Sequence, residues 1–298
     1  MLELAEASYA PSTMVAYKRY WATLVNFIRI QKYPTQLPIS QRVLVAFLKS
    51  LVERKRAAST IKTMFAAIGT IHKMLDGNDP TKNFLLVRSL KAISKVARPT
   101  KRLLPIRRKL LRRLIGKVDL QPVSSFHKKA IKAIFALAYE GCFRIGEIVE
   151  ATNAQHTLKA SNVSFLTNSR PHLLRICLDS YKHSAAPSAL LLKKRKDKFC
   201  AYRLVKSYMK VRPDREGCFF SEGDARPFAR DFIAKILRSC LADLVVNPAA
   251  YNTHSFRVGR TTDLVEEGAH ESTIQQVGRW KTTAYRAYIR IKDFQMPD

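Results

Sequence analysis

The stretch Thr253–Arg290, THSFRVGRTTDLVEEGAHESTIQQVGRWKTTAYRAYIR, holds the densest group of chemically active side chains in this 298-residue chain. Its polar and aromatic residues fall into three groups: His254 with Arg257, Gly278-Arg279-Trp280, and Tyr285 with Tyr288. A helix capped by Thr253 or Ser255 would carry His254 and Arg257 on one side of its first turn. Unpaired N–H groups and the positive end of the helix dipole favour an anion there. This stretch therefore predicts a phosphate-binding site, and the other segments are interpreted as its supports.

The charge balance indicates a polyanionic partner. The chain has 53 Lys and Arg against 23 Asp and Glu, a formal net charge of +30. Such an excess destabilises a compact fold by self-repulsion unless a polyanion screens it, so we expect DNA or RNA; a merely basic surface is the alternative. No apolar run approaches the roughly 18 residues of a membrane-spanning helix. The N-terminus also lacks the order of a signal peptide, so we expect an intracellular protein without a membrane partner.

The five cysteines are odd in number, widely spaced and never arranged as C-x-x-C, which predicts neither a disulfide framework nor a zinc site. They are Cys142, Cys177, Cys200, Cys218 and Cys240.

Residues 1–97 predict an all-helical domain. Apolar residues recur at three- and four-residue spacing after cap-type residues near Pro11, at Ser40, at Ser59 or Thr60, and at Asp79-Pro80. Residues 98–105 contain two prolines and three basic residues without a helical period, which is typical of an interdomain linker. Its Lys101 and Arg102 would lie near phosphates if the two domains close around a duplex; otherwise the linker is a solvated hinge.

Residues 106–298 predict a second, mostly helical domain with one small antiparallel sheet. Helices are expected over 107–117 and 126–140, and Arg144 precedes a new helix near Gly146. Three β-type runs follow: Asn162–Leu166, Leu173–Tyr181 and Ala189–Leu192. Lys182 lies in the turn after the second run. The basic run Lys193-Lys194-Arg195-Lys196 is interpreted as a DNA-facing surface, a nuclear-import signal or a solvated face.

In order and spacing, residues from Gly141 to Arg290 resemble the tyrosine recombinase (phage integrase) family. The family pattern includes an upstream arginine with a glutamate three residues later, a lysine in a β-turn, H-x-x-R, a His or Trp after a glycine, and a downstream tyrosine. The matching residues are Arg144 with Glu147, Lys182, His254 with Arg257, the Gly278 neighbourhood, and Tyr288 ten residues beyond Gly278. The stretch looks most like the recombinases of eukaryotic mobile elements of the DIRS, Ngaro or Crypton kind.

The resemblance implies a reaction and a role for each matching residue. Arg144 and Arg257 would stabilise the extra charge on the phosphate oxygens, since guanidinium is permanently charged and bidentate. Lys182, preferred to its competitors in the run from Lys193 to Lys198 because of its place in the turn, would protonate the departing 5′ oxygen. His254 would bind the phosphate or move a proton. Tyr288 would be the nucleophile of a 3′-phosphotyrosyl intermediate. Because one ester replaces another, no ATP, metal or other cofactor is expected.

The resemblance also implies double-stranded DNA as the partner and a clamp formed by the helical N-terminal, core-binding type domain and the catalytic domain. We expect a homotetramer on two DNA sites, with a dimer on each, working through a Holliday junction, and located in the nucleus if the host is eukaryotic. Two other functions stay open. One is a domesticated, non-catalytic DNA-binding protein on the same fold, and the other is a type IB topoisomerase.

Two assignments within the stretch have competitors. Tyr285 lies three residues before Tyr288 in a short helix expected over Thr283–Ile291, but its spacing from Gly278 is less suitable. After Gly278 the family has His or Trp, whereas this chain has Arg279 and then Trp280. Either Arg279 contacts the phosphate or the backbone brings Trp280 inward, and both residues are retained as site candidates. Glu147 is expected to orient an arginine or to cap a helix rather than to take part in the chemistry.

Overall fold

The computed structural model describes residues 2–75, 77–97, 102–149, 157–168, 170–179, 188–213, 216–224 and 226–291. The chain divides into two compact units, Met1–Thr100 and Lys101–Asp298. Each unit contains its own cluster of buried apolar residues. None of the helices in these described ranges is both long enough and apolar enough to cross a membrane.

All secondary-structure elements in the described residues of the first unit are helical. Its helices are α1 (Leu2–Ala7), α2 (Pro11–Ile30), α3 (Gln41–Glu53), α4 (Ala58–Leu75) and α5 (Phe84–Val96). Helix α3 begins directly after Ser40, as predicted, and α2 begins at the predicted Pro11 with Ala10 as its N-cap residue. The predicted cap at Ser59 or Thr60 is wrong, because α4 already begins at Ala58. Helix α1 was not predicted, because its six residues are too few to display a helical period.

The predicted start of the fourth helix at Asp79 is wrong. Asp79 instead begins a 3-10 turn, Pro80–Lys82, in which its Oδ1 accepts from Thr81 N at 3.1 Å. Helix α5 begins only at Phe84, where the Asn83 side chain accepts from Leu85 N at 2.9 Å. Asp79 packs against α4 at Gly69, where a Cβ atom would lie 2.5 Å from its Oδ1. Two cap-type residues four positions apart thus serve two separate turns.

The second unit combines helices with one antiparallel sheet, as predicted. The helices are α6 (Arg108–Lys117), α7 (Ser125–Glu140), α8 (Ile145–Ile148), α9 (Ala201–Met209), α10 (Arg230–Ala242), α11 (Ser255–Glu266) and α12 (Glu271–Gly278). The strands are β1 (Val163–Leu166), β2 (Leu173–Leu178) and β3 (Ser188–Lys193), in the order β1-β2-β3. Val163 pairs with Ile176, and Leu174 pairs with Leu192. The segment 180–187, which joins β2 to β3, lies outside the described residues.

Helix α7 lies at the centre of the second unit. Every residue from Ala133 to Glu140 is buried, so this helix is enclosed on all sides rather than amphipathic. Its Tyr139 hydroxyl donates to Asp263 of α11, and burial raises the pKa of Tyr139 well above its ordinary value. Asp263 also accepts from Arg107 Nε at 2.6 Å and from Arg108 N at 3.0 Å. One buried carboxylate therefore joins α6, α7 and α11.

Helix α11 also packs directly on the chain that precedes α6. A Cβ atom on Gly259 would lie 1.9 Å from the carbonyl oxygen of Ile106, so only glycine allows this approach. The N–H of Ile106 donates to the carbonyl of Ser255 at 2.9 Å, at the start of α11. The helix that carries Arg257 is therefore fixed to α7 on one side and to residues 106–108 on another.

Candidate active site

The end of α7 forms one wall of the site. Cys142 has a left-handed backbone with φ of 48°, which turns the chain sharply after the helix. Arg144 is the N-cap residue of α8, and its backbone N–H and its Nη1 both donate to the Glu147 carboxylate at 2.9 Å. Carbonyl groups at the end of a helix carry partial negative charge and attract cations. The Gly141 and Cys142 carbonyls are therefore suited to receive the arginines of the site.

Arg257 enters the site from the first turn of α11 and is completely buried. Its Nη1 donates to the carbonyl of Cys142 and its Nη2 to the carbonyl of Gly278 at 2.5 Å. Its Nε has no hydrogen-bond partner among the described residues. Burial, together with the nearby Arg144 and Arg279 cations, lowers the pKa of this guanidinium to about 10. It is a cation held by carbonyl oxygens, with one donor left unused.

Arg279 turns into the protein and away from the solvent. It ends α12 in a left-handed conformation, with φ of 57°, and its side chain is only 3% exposed. Its Nη2 donates to Glu147 at 2.8 Å, its Nη1 donates to the Gly141 carbonyl at 3.0 Å, and its guanidinium lies over the Phe143 ring. Arg279 thus binds the same carboxylate as Arg144 and links α12 to the start of α8.

The Trp280 side chain lies beside Arg257 and Tyr288 instead of Glu147. Its ring folds back over Gly278, where a Cβ atom would lie 1.7 Å from Trp280 Cζ3. The Arg257 guanidinium lies 4.1 Å from the centroid of this ring, a cation–π distance. The Trp280 and Tyr288 rings are 5.1 Å apart. Of the two candidates after Gly278, Trp280 is the one beside the tyrosine, and Arg279 is the one beside Glu147.

Tyr288 and His254 face each other across this group. Their ring centroids are 5.1 Å apart, and the Arg257 guanidinium lies 5.5 Å from the Tyr288 ring. Both side chains are partly buried. Burial lowers the pKa of His254 to about 4, assisted by the cations Arg257, Arg144 and Arg290. His254 is therefore neutral near pH 7 and has a ring nitrogen that can accept a proton.

Tyr285 belongs to the interior. It is buried and packs in a small apolar cluster with Leu264 and Ile274. Its side chain therefore lies in the core, whereas Tyr288 lies beside His254 and Trp280. The expected helix over Thr283–Ile291 is wrong in length, because a 3-10 helix over Thr283–Tyr288 ends at the tyrosine and Ile289 is extended. Thr262 Oγ1 lies against the backbone of this segment: it accepts from Arg290 N at 3.2 Å and lies 3.4 Å from the Tyr288 carbonyl oxygen, while its proton goes to the Val258 carbonyl at 2.8 Å.

The start of α11 also differs from expectation. Neither Thr253 nor Ser255 caps it; His254 is the N-cap residue and Ser255 is the first helical residue. The Asn252 side chain accepts from His254 N at 2.7 Å, and Ser255 Oγ accepts from Asn252 N at 3.2 Å. The turn at Asn252 therefore orders the start of α11, which was expected of a capping side chain at Thr253 or Ser255. His254 and Arg257 still face the same site.

Two of the remaining candidates lie outside the described residues, and none of the described ones contacts Tyr288, His254 or Arg257. Lys182 and Lys101 lie outside the described residues, and Arg102 is exposed. Lys193 and Lys196 are exposed, whereas Arg195 pairs with the buried Glu140, and Lys194 lies over the Tyr202 ring at 5.8 Å. Two of the four residues in the basic run therefore contact the fold rather than form a wholly solvated face.

Sequence reasoning missed three contributors to the site. The carbonyl of Cys142 accepts from both Arg257 and Arg279, but a backbone carbonyl carries no sequence signal. Thr262 and Arg290 hold the tyrosine segment, and Arg290 could have been noticed only as a basic residue two positions after Tyr288.

No protein-family model matches this sequence, and no curated protein matches it. Solved structures do match its fold. They include the Tn1549 transposon integrase (residues 82 to 397) in complex with circular intermediate DNA, with a TM-score of 0.61 and 13% identity over 98% of this chain and 96% of that one.

Two further matches are the XerH site-specific recombinase bound to its difH substrate and a lambda integrase dimer bound to a COC′ core site. XerH aligns with a TM-score of 0.64 and 13% identity over 91% of this chain and 74% of that one. The lambda integrase aligns with a TM-score of 0.63 and 12% identity over 99% of this chain and 76% of that one. At these identities the likeness concerns the fold, and the chain has the mainly helical fold with one small antiparallel sheet that these recombinases and integrases share.

Proposed function

We propose that this chain is a site-specific DNA recombinase that cuts and rejoins DNA strands through Tyr288. The observation that carries the proposal is the grouping of Tyr288 with His254, Trp280 and the buried Arg257 guanidinium, all within 5.5 Å between ring or guanidinium centres. The net charge of +30 supports a polyanionic substrate. The DNA-bound recombinases and integrases of similar fold support duplex DNA as that substrate.

The proposed reaction is a transesterification. The Tyr288 hydroxyl oxygen attacks a DNA phosphorus, the bond from phosphorus to the 5′ oxygen breaks, and a 3′-phosphotyrosine and a 5′-hydroxyl form. The phenol proton passes to neutral His254 or to solvent, and Lys182 supplies the proton that the 5′ oxygen takes up. Reversal by a 5′-hydroxyl from another strand rejoins the DNA. Exchange between two sites in a homotetramer, through a Holliday junction, would complete recombination.

The arginines have different parts in this proposal. Arg144 is 29% exposed, so its guanidinium has donors for phosphate oxygens. Arg257 and its unpaired Nε are buried, so we assign it electrostatic stabilisation of the phosphate charge. Arg279 donates its terminal nitrogens to Glu147 and to backbone carbonyls, so we assign it the support of Arg144 and Arg257. Trp280 would fill the position of the family's His or Trp. Glu147 would orient the two arginines that it binds.

The test is covalent trapping on nicked duplexes, because loss of a short nicked fragment prevents rejoining. The target sequence is open, so a pool of nicked duplexes with randomised sequence is incubated with the full chain, and adducts that survive detergent are sequenced. We expect an adduct with the wild type and with Tyr285→Phe, and none with Tyr288→Phe. An adduct that persists in Tyr288→Phe and disappears in Tyr285→Phe would assign the nucleophile to Tyr285.

The same assay separates the two alternative functions. A domesticated DNA-binding protein on this fold would bind the pool but form no adduct with any variant. A type IB topoisomerase would form the adduct and relax any supercoiled plasmid without pairing two sites. Recombination predicts instead that strand exchange requires two copies of the selected sequence. The proposal also includes a nuclear location in a eukaryotic host and contacts between DNA and the exposed Lys193 and Lys196.

A further inference from the structure

The residues that flank Tyr288 are held by a side chain outside the group already assigned. The Arg290 Nη1 donates to the carbonyl of Ala287 and to the carbonyl of Ile289, each at 2.8 Å. These two carbonyls belong to the residues immediately before and after Tyr288. A single guanidinium nitrogen therefore bridges the backbone on both sides of the proposed nucleophile.

The same side chain connects this segment to the beginning of the second unit. Arg290 Nε donates to the carbonyl of Leu103 at 3.3 Å. The residues after Leu103 are hydrogen-bonded to α11 and to the segment that precedes it. Leu104 N donates to the Ala250 carbonyl and Ile106 N to the Ser255 carbonyl, both at 2.9 Å. Arg290 thus ties the tyrosine to the same frame that carries His254 and Arg257.

The segment is packed through Tyr285, which is buried with Leu264 and Ile274, but its backbone has few other hydrogen bonds among the described residues. The 3-10 helix over Thr283–Tyr288 is one short element that stops at the tyrosine, and 3-10 hydrogen bonds have poor geometry. From α11, Thr262 supplies one hydroxyl to the backbone there. A misplacement of about 1 Å at a reacting group can cost roughly 100-fold in rate. The orientation of the Tyr288 phenol therefore depends on what holds residues 287–289.

We propose that Arg290 is a positioning residue that holds Tyr288 in line by bridging Ala287 and Ile289 and by anchoring them to Leu103. This inference rests on the proposed function for its effect on DNA cleavage, whereas its structural part holds for the free protein. Lysine would not replace arginine, because its single ammonium lacks the planar array of donors that reaches carbonyls in different directions.

The variants are Arg290→Met, which removes all the donors, and Arg290→Lys, which keeps the charge. Arg286→Met is the matched control, because Arg286 lies in the same 3-10 helix, is exposed, and has no side-chain hydrogen bond among the described residues. Thermal unfolding of each full chain checks that the fold is retained. If Arg290→Met unfolds, Arg290→Lys takes its place in the comparison.

The first measurement needs no activity: hydrogen–deuterium exchange of the amides in residues 283–291. We expect faster exchange in Arg290→Met and Arg290→Lys, and exchange like that of the wild type in Arg286→Met. Exchange in Arg290→Met that equals the wild type would overturn the inference. Because no DNA is present, this result is independent of whether the chain is a recombinase.

The second measurement is single-turnover adduct formation on the selected nicked duplex, together with the DNA dissociation constant. We expect Arg290→Met to slow adduct formation by about 100-fold while the dissociation constant stays unchanged. Arg290→Lys should fail to restore the rate. An unchanged rate, or a loss that appears wholly in the dissociation constant, would contradict positioning and indicate a phosphate contact instead. If the wild type forms no adduct, the proposed function fails, and the exchange experiment alone decides the role of Arg290.

Discussion

Glu147 is the carboxylate between Arg144 and Arg279, and it is 4% exposed. Burial opposes its ionisation, but Arg279 and Arg144 outweigh that effect and hold the pKa of Glu147 below its ordinary value. A carboxyl whose pKa is lower in the folded state stabilises the fold above its unfolded pKa. That contribution is lost as the pH falls through the folded pKa.

We therefore expect Glu147→Gln to lower the free energy of unfolding at pH 7 by about 3–5 kcal/mol, since it leaves the buried Arg279 and the partly exposed Arg144 without their shared partner. Urea denaturation measures this, and the difference from wild type should shrink when the carboxyl becomes protonated at low pH. The control is Glu267→Gln, whose carboxylate is 44% exposed beside Arg108, and it should cost less than about 1 kcal/mol. Equal costs for the two variants would contradict the buried bridge.

His254 gives a pH prediction at the same scale. Its pKa is lowered to about 4 first by burial and then by the cations Arg257, Arg144 and Arg290. In the free protein the NMR signals of the His254 ring should therefore titrate near pH 4. The stability that the neutral ring contributes should be lost as the pH falls from the ordinary histidine pKa towards pH 4. Bound phosphate should raise this pKa, because it neutralises the neighbouring cations.

The control for this titration is a change in the cations themselves. Arg144→Met should raise the His254 pKa, and Arg286→Met, which alters a cation that does not contribute to the shift, should leave it where it is. A free-protein titration at the ordinary histidine value would show that the ring is more solvated than the structure has it.

At the scale of elements, the end of α12 determines which side chain meets Tyr288. Gly278 allows the Trp280 ring to lie on the helix backbone, since a Cβ atom there would be 1.7 Å from the ring. Gly278→Ala should therefore expel Trp280, lower the free energy of unfolding by about 1–3 kcal/mol through overpacking, and slow adduct formation.

The measurement is Trp280 fluorescence in a Trp21→Phe background, because Trp21 and Trp280 are the two tryptophans of the chain. We expect a red shift and stronger quenching by iodide in Gly278→Ala. Gly116→Ala in α6 is the matched control, because a Cβ atom there meets no atom within 4 Å. If Gly278→Ala leaves the emission unchanged, Trp280 does not depend on this glycine.

These elements also show which features the sequence could predict. Apolar periodicity depends on local chain geometry, so it correctly predicted the start of α2 at Pro11 and the three strands. The directions of Arg279 and Trp280 depend on a left-handed residue whose partner, Glu147, lies 132 positions away. The 3-10 helix likewise ends where Thr262 binds its backbone. No local pattern contains these partners, which is why the two directions stayed open at the level of sequence.

At the scale of the whole molecule, positive charge is spread over both units. Residues 1–100 contain 16 Lys and Arg against 5 Asp and Glu, and residues 101–298 contain 37 against 18. Neither unit is neutral, so an interaction with a polyanion would draw on the entire chain. The candidate site itself carries Arg144, Arg257 and Arg279 around the buried Glu147 carboxylate, and a phosphate would balance that local excess of positive charge.

A chain of this charge should bind duplex DNA with a steep dependence on salt. Each phosphate neutralised by Lys or Arg releases counterions, and about six to ten such contacts lower the affinity roughly 10³- to 10⁵-fold between about 50 and 200 mM salt. We expect a loss of that order for a duplex of arbitrary sequence, measured by fluorescence anisotropy over a salt series. A peptide nucleic acid duplex of the same sequence is the control, because it keeps the bases and lacks the phosphates, and it should bind weakly at every salt concentration. A flat salt profile on DNA, or equal binding of the neutral duplex, would mean that the +30 charge does not serve the phosphate backbone.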